Sequence, residues 1–379
     1  MELGGASRAG TDAPASKKAN TPLHVLHVSQ PVEAGVANVV RGLVEHQRGA
    51  GLRVSVACPE GPLATSVRES GAAHHAWTAS RDPGPSIARE ARQLRDIIRR
   101  VQPDVIHLHS AKAGLVGRLV LRGSRPSIFQ PHAWSDLAAT GAIAKAARAW
   151  EKWASRWTQA TVVSSAYERE HGEQLNMSNG VLIPNGVDVD KFTPADRAAA
   201  RVRLGIPSDE IAVVCVGRMA RQKGQDLLLA AWAELKAPGA SLYLVGDGPD
   251  RESIERAAAR LETVRVVPGV SDPRDWFAAA DLVVLPSRWE GASLVLLEAM
   301  AMGRSLVGFD VGGLATTLDN SSAAVPPEDV KALAREISRR LADADVRHVE
   351  EESNRARAVD FYPSSLSYSR LTSLTLGVV

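Results

Sequence analysis

The sequence predicts an α/β chain made of two doubly wound parallel sheets in series. Short β-rich runs alternate with helical stretches along almost the whole length, the pattern of parallel sheets covered by helices on both faces. The pattern restarts near the middle of the chain. At 379 residues and 45% apolar composition, the chain also exceeds the ~250–300 residues at which one core stops growing, so more than one core is expected.

In the first half the strand candidates are residues 23–29 (LHVLHVS), 53–59, 105–110, 127–132, 160–165 and 181–186. In the second half they are 211–217, 241–246, 264–269, 282–287 and 305–310, each followed by a helical stretch. The polar, helix-poor stretch NGVDVDKFTPADRAAA around residues 185–200 marks the join. The expected division is a flexible tail 1–20, a first unit 21–188 and a second unit 189–363, with the weak helix of 364–379 crossing back to the first. Ligands of such folds bind beyond the carboxyl ends of the strands, so two units facing each other would enclose a cleft.

Composition narrows the function classes. Disorder, collagen and coiled coil do not fit. No run of about 18 uncharged apolar residues is present, and the N-terminal MELGGASRAGTDAPASKKAN lacks the order of a signal peptide, so a cytoplasmic chain is expected. Charge is nearly balanced, 45 Lys+Arg against 43 Asp+Glu, with a mildly basic first half. That is too slight for nucleic acid, yet it suits an anionic acceptor or membrane surface. Cys58 and Cys215 lie far apart inside apolar strand runs and read as buried small hydrophobes, not as a disulfide or zinc ligands.

The most informative segment is SRWEGASLVLLEAMAMGRSLVGFDVGG, residues 287–313. A buried strand ends at Pro286, Glu290-Gly291 makes a turn, Ser293 is placed to cap a helix, and LVLLEAMAM runs on to a stop at Gly303. The free amides after the cap, with the positive end of the helix dipole, form an anion site fit for a diphosphate. This helix is apolar nearly all round, so an ionised Glu298 within it needs a partner or a ligand.

The spacing of Glu290 and Glu298 resembles the E-x7-E signature of the family-4 retaining glycosyltransferases, enzymes of GT-B fold with two Rossmann-like domains facing a central cleft. Other stretches match in the same order, from about residue 23 to residue 313. Gly217-Arg218-Met219-Ala220-Arg221-Gln222-Lys223-Gly224 is similar to the family's loop after the first strand of the second domain. Ala34-Gly35-Val36-Ala37 resembles the glycine loop near the donor phosphate. QPHAWSD places His132 as the family places a histidine near the transferred sugar. LYLVGDGPDRESI and PNGVDVDKF match stretches that are mainly architectural.

The resemblance implies a metal-independent hexosyltransferase moving a sugar from a nucleotide diphosphate donor to a sugar, lipid-linked or small-molecule acceptor, in polysaccharide, glycolipid or secondary glycoside biosynthesis. It assigns the acceptor to the first domain and the donor to the second. Arg218 and Lys223 clamp the donor phosphates, as a planar fork and a mobile point charge can. Glu290 and His132 address the sugar, while Glu298 holds the ribose. Gly35, Gly217 and the backbone of Gly291, Ala292, Ser293, Leu294 and Val295 complete the donor site. No side chain in these motifs is an obvious nucleophile, so a front-face path is expected, with the departing phosphate accepting the acceptor proton. An epimerase or hydrolase on the same fold, or a non-catalytic sugar-nucleotide-binding subunit, stays as the alternative.

Some features depart from that pattern or lie outside it. The family usually shows two glycines where Ala34-Gly35 stands, a glycine where Ala133 stands, Gly-x-Pro at Arg304-Ser305, and a proline and a glutamate where Leu314-Ala315-Thr316-Thr317 stands. His107 and His109 alternate along one strand, but His-x-His is a family feature of the cleft wall, and no metal is expected. Asp188-Val189-Asp190 spells D-x-D, although in the join rather than after a buried strand. Within residues 142–160, Trp150, Trp153 and Trp157 form one helical stripe and Lys145, Arg148, Lys152 and Arg156 another. An aromatic face packed on the core is the preferred reading; a helix in a lipid headgroup layer, with the enzyme peripheral at the inner face of the membrane, is the other.

Overall fold

The computed structural model describes residues 22–379 except Asp82, Asn176 and Lys236; the expected tail 1–20 lies outside the described residues. The first sheet has seven parallel strands: β1 (His24–Ser29), β2 (Arg53–Cys58), β3 (Ala73–Ala76), β4 (Val105–His109), β5 (Ser127–Gln130), β6 (Ala160–Val163) and β7 (Gly180–Leu182). Their spatial order is β3-β2-β1-β4-β5-β6-β7. The second has six: β8 (Ile211–Val216), β9 (Ala240–Val245), β10 (Val264–Val267), β11 (Leu282–Leu285), β12 (Ser305–Phe309) and β13 (Ala324–Val325), in the order β10-β9-β8-β11-β12-β13. Both sheets therefore reverse direction beside their first strand, between β1 and β4 and between β8 and β11, which opens a crevice at the strand ends.

The inner strands are buried on both faces, as the apolar runs predict. Several runs stop short of their expected ends for one reason. Pro131, Pro184, Pro268 and Pro286 follow Gln130, Ile183, Val267 and Leu285, and a residue without an N–H cannot continue a ladder. Two edge strands escape sequence reading: β3 spells AHHA, without β-branched residues, and β13 has only two residues.

The chain passes from one sheet to the other near Asn185–Phe192 and returns at Tyr362–Ser364, where Val187 pairs with Pro363. Val187 N donates to Tyr362 O at 2.8 Å and Ser364 N to Val187 O at 2.8 Å, so the two crossings are fastened together. The last helix, Ser364–Gly377, then lies against the helix Ala34–Gly49. Leu371 shares a core with Leu43, Val105 and Ile128, and Tyr368 lies where any side chain at Gly42 would be.

The tryptophan helix fits its preferred reading only in part: the basic face is exposed and Trp150 and Trp157 are half-buried, while Trp153 is not covered. It spans Gly141–Ala154, and Trp157 falls in a following 3-10 turn, Ser155–Trp157. Only Glu151 and Ala154 of the helix are buried, while Ile143 is 73% and Trp153 44% exposed. The three indoles gather on one another, with centroids 4.3–6.2 Å apart. The helix is short of core-facing bulk because its other apolar residues are mostly alanine; it is tied down by the buried pair Arg118–Glu151 at 2.7 Å. Among the described residues no helix is long and apolar enough to cross a membrane.

Candidate active site

The site forms where the carboxyl ends of β8 and β11 meet those of β1 and β5. After β8 the chain runs through Gly217 and Arg218 into a 3-10 turn, Arg221–Lys223, closed by Gly224 in the left-handed region (φ +66°). A Cβ on Gly224 would sit 2.0 Å from Pro286 O, so only glycine lets this loop close onto the end of β11. Gly246 and Gly248 do the same from behind, backing against the carbonyls of Gly217 and Met219.

This closure brings Lys223 to Glu290. Lys223 Nζ donates to Glu290 Oε1, which also accepts from Ser287 Oγ at 2.7 Å. Gln222 Nε2 donates to Trp289 O and Arg288 N to Gln222 O, stitching the two loops together. Ser293 caps the helix Leu294–Ala301, its Oγ accepting from Leu296 N at 3.4 Å. The helix amino end points at the first sheet: a Cβ on Gly35 would lie 3.6 Å from Leu294 Cδ1. Ala34 beside it has φ +59°, a conformation that favours glycine and explains why a second glycine is usual there.

Gly291 is a tight point between the two units. A Cβ there would be 2.5 Å from His132 O and 2.5 Å from Glu168 Oε1. Ser165 Oγ donates to Gly291 O at 3.0 Å, and Asn185 Nδ2 donates to Ala292 O at 3.1 Å. An open cleft lies at this seam, lined by Ser164, Asn185, Glu290, Ala292 and Ser293 among others.

Two expected residues stand apart from this cluster. Arg218 is exposed, with no ion pair among the described residues; partial burial and the nearby positive charge of Arg81 lower its pKa. Glu298 lies farther along the capped helix with no side-chain hydrogen bond or ion pair among the described residues, and burial pushes its carboxyl up to about 7. His132, at φ +59° just past β5, is pushed down to about 3 by burial and is therefore neutral. Its Nε2 lies 3.1 Å from His109 Nδ1.

His27 joins His107 and His109 in a cluster whose ring nitrogens lie within 4.8 Å of one another. His27 Nδ1 and His109 Nε2 hydrogen-bond each other at 3.0 Å, which takes up lone-pair capacity that a metal would need. Asp188 of the D-x-D accepts from the amides of Asp190 and Lys191 and so caps a turn. Both cysteines are buried and free, and burial pushes each thiol up to about 12.

Sequence reasoning missed Arg81, Glu168, His27 and Gln47. Glu168 is wholly buried, with Oε2 bonded to Ser164 and Oε1 unpartnered among the described residues; burial raises its pKa. Ser165-Ala166-Tyr167-Glu168 has the spacing of a capping box, a signal that could have found it. Nothing in the sequence marks the other three.

Two family models match consecutive parts of the chain: "Glycosyltransferase Family 4" over residues 34–191 and "Glycosyl transferases group 1" over residues 210–343. The chain belongs to this glycosyltransferase family. A D-inositol 3-phosphate glycosyltransferase 1 of Catenulispora acidiphila is 33% identical over 247 residues, 57% of this chain and 58% of that protein. The D-inositol 3-phosphate glycosyltransferase of Saccharomonospora viridis is 33% identical over 211 residues, 51% of this chain and 48% of that protein. The chain thus spans about half the length of the curated relatives it matches. Its GT-B fold is shared with sucrose-phosphate synthase from Thermosynechococcus elongatus (TM-score 0.81, 23% identity, 94% of this chain and 99% of that one). It is shared too with the Anabaena HepE protein in complex with UDP and glucose (TM-score 0.80, 19% identity, 94% and 100%).

The glycosyltransferase pattern and this chain differ at positions the structure accounts for. Arg304, where the family favours Gly-x-Pro, is buried and donates to the carbonyls of Met302, Ala278 and Ala280; burial lowers its pKa to about 10. Gly312, at φ +63°, allows a close approach to the Glu290-Gly291 turn, since a Cβ there would lie 2.8 Å from Glu290 Cβ.

Proposed function

We propose that the chain is a retaining glycosyltransferase that moves a glycosyl group from a nucleotide diphosphate sugar to an acceptor hydroxyl without a bound metal. One observation carries this reading: Gly35 and His132 of the first sheet face Leu294 and Gly291 at the amino end of the capped helix, beside the cation Lys223. In this reading residues 21–188 hold the acceptor and residues 189–363 the donor.

Arg218, Lys223 and the amides of residues 291–295 neutralise the diphosphate, and that neutralisation grows in value as the glycosidic bond breaks. Glu298 takes the ribose hydroxyls; Glu290 and His132 take hydroxyls of the sugar. The departing phosphate accepts the acceptor proton on the same face, so the configuration is kept. Seating the reactants between two units excludes water that would otherwise hydrolyse the donor.

The curated relatives carry the name D-inositol 3-phosphate glycosyltransferase, which makes a phosphorylated polyol the first acceptor to try. The exposed Ile143 and Trp153, beside the exposed Lys145, Arg148, Lys152 and Arg156, support a peripheral contact of the tryptophan helix with an anionic lipid surface.

The test is to incubate the protein with UDP-, ADP- and GDP-sugars, with and without acceptors, and follow nucleoside diphosphate release and product. Release that depends on acceptor, with the anomeric configuration retained, is the expected result. Free sugar or an epimer formed from donor alone would instead favour the hydrolase or epimerase.

A further inference from the structure

His132 is joined to the last helix of the chain by a single file of buried hydrogen bonds. Thr375 Oγ1 donates to Leu371 O at 2.8 Å. A hydroxyl has one proton, so toward Gln47, whose Nε2 lies 3.3 Å away, Thr375 is an acceptor. That orients the amide. Gln47 turns its NH2 to Thr375 and its Oε1 to His27 Nε2 at 2.9 Å, so His27 Nε2 carries the proton.

The remaining directions follow. Burial pushes the pKa of His27 to about 4 and that of His109 well below the usual imidazole range, so both rings are neutral and each has one N–H. His27 Nδ1 must then accept from His109 Nε2 at 3.0 Å, and His109 Nδ1 must accept from His132 Nε2 at 3.1 Å. His107 stacks on His109 with centroids 4.0 Å apart, and its ring nitrogens make no hydrogen bond to His27, His109 or His132, so it steadies the file without diverting it. The file ends at His132 Nδ1, which has no hydrogen-bond partner among the described residues.

We propose that Thr375 and Gln47 are positioning residues that fix His132 in the Nε2-protonated tautomer, so that its Nδ1 lone pair accepts a hydrogen bond from a hydroxyl of the transferred sugar. The sugar part of this statement rests on the function proposed above; the tautomer does not. A reversed Gln47 amide would flip every bond in the file and present His132 as a donor instead. The hydroxyl at 375, committed to the carbonyl of Leu371, is what excludes the reversal. The crossing-back helix thereby sets the hydrogen-bonding character of a residue in the cleft from the far side of the first sheet's core.

The experiment is nitrogen NMR of the full chain carrying 15N-histidine, with the His132 signals assigned by their loss in His132→Gln. In the parent, His132 Nδ1 is expected in the pyridine-type range and Nε2 in the pyrrole-type range. Thr375→Val is expected to mix the two tautomers and to lower kcat about tenfold at saturating donor, the scale of one neutral hydrogen bond. Thr375→Ser, which keeps the hydroxyl, retains the parent spectrum and rate. Gln47→Met is a second variant with the same expected mixture, and melting curves report whether each variant folds. A pyrrole-type Nδ1 in the parent, or a parent-like His132 spectrum in both folded variants, overturns the proposal. The parent spectrum decides the tautomer whether or not the variants fold. The expected tautomer in a chain that transfers no sugar would leave the file intact and sink the transferase reading alone.

Discussion

Lys223 Nζ is ion-paired with Glu290 Oε1, joining the loop after β8 to the turn after β11 across 67 positions of sequence. The carboxylate holds the cation in place before any phosphate arrives, and Ser287 Oγ still bonds Glu290 when the lysine leaves. In the function proposed above, donor binding would be an exchange of partners for Lys223. This lowers the reorganisation needed as charge develops on the leaving group.

At saturating acceptor, Arg218→Ala and Lys223→Ala are each expected to lower kcat by roughly 100-fold or more, the scale on which one preorganised electrostatic donor acts. Steady-state kinetics with donor varied reads this directly, and an unchanged kcat in both variants would reassign the cations. Without its carboxylate, Lys223 loses its resting partner, so Glu290→Gln should lower kcat as well.

Glu298 gives a prediction in pH. Its carboxyl is raised from 4.5 to about 7 by burial, so the folded chain holds this proton more tightly than the unfolded chain does. Its contribution to the stability of the ligand-free protein is therefore present at low pH and lost as pH rises from about 4.5 to about 7. Ribose hydroxyls favour the carboxylate, so donor KM should rise as pH falls below 7, with a smaller change in kcat. In Glu298→Gln that pH dependence of donor KM should vanish, and KM should be uniformly higher; a defect wholly in kcat would rule out the ribose role.

Transfer is expected to survive EDTA. Asp188→Ala should cost about 1 kcal/mol through its lost turn cap, with activity at saturating substrates unchanged. Activity abolished by chelation and restored by magnesium or manganese would point back to Asp188 and Asp190.

Co-sedimentation with anionic liposomes tests the tryptophan helix. Binding should fall when Lys145, Arg148, Lys152 and Arg156 are all changed to glutamine, and high salt should weaken it in the parent. Asp136 keeps His171 at 3.0 Å when Arg148 is lost, so the variant should still fold. Equal sedimentation of parent and variant would leave the helix a solvated face.

Eleven of the strands were legible because buried parallel strands are continuous apolar runs, and the ends near Pro131, Pro184, Pro268 and Pro286 were misplaced because prolines cut the ladder there. The turn and capped helix proposed to bind the donor were legible because their parts lie close in sequence: Glu290, Gly291 and Ser293 occupy one turn, and Glu298 lies on the helix it leads into. The first-unit side was less so. The file behind His132 draws on residues 27, 47, 109 and 375, from four separate segments, and no local spacing announces such a meeting. Arg81 lies in an irregular loop that Ser80 ties to Glu90, a contact no local spacing announces. The tryptophan stripe was legible only in part, because helical periodicity identifies a face without saying which neighbour covers it: Trp150 and Trp157 are half-buried and Trp153 is exposed.

The docking of Leu371 against Leu43, Val105 and Ile128 bears on how the chain is made. The first unit is synthesised first, yet part of its apolar surface stays uncovered until residues 364–377 have left the ribosome. At roughly 5–20 residues per second, the second unit takes on the order of ten to forty seconds to emerge. Throughout that interval the nascent first unit presents an open groove beside the helix Ala34–Gly49, where a chaperone or a wrong partner can bind.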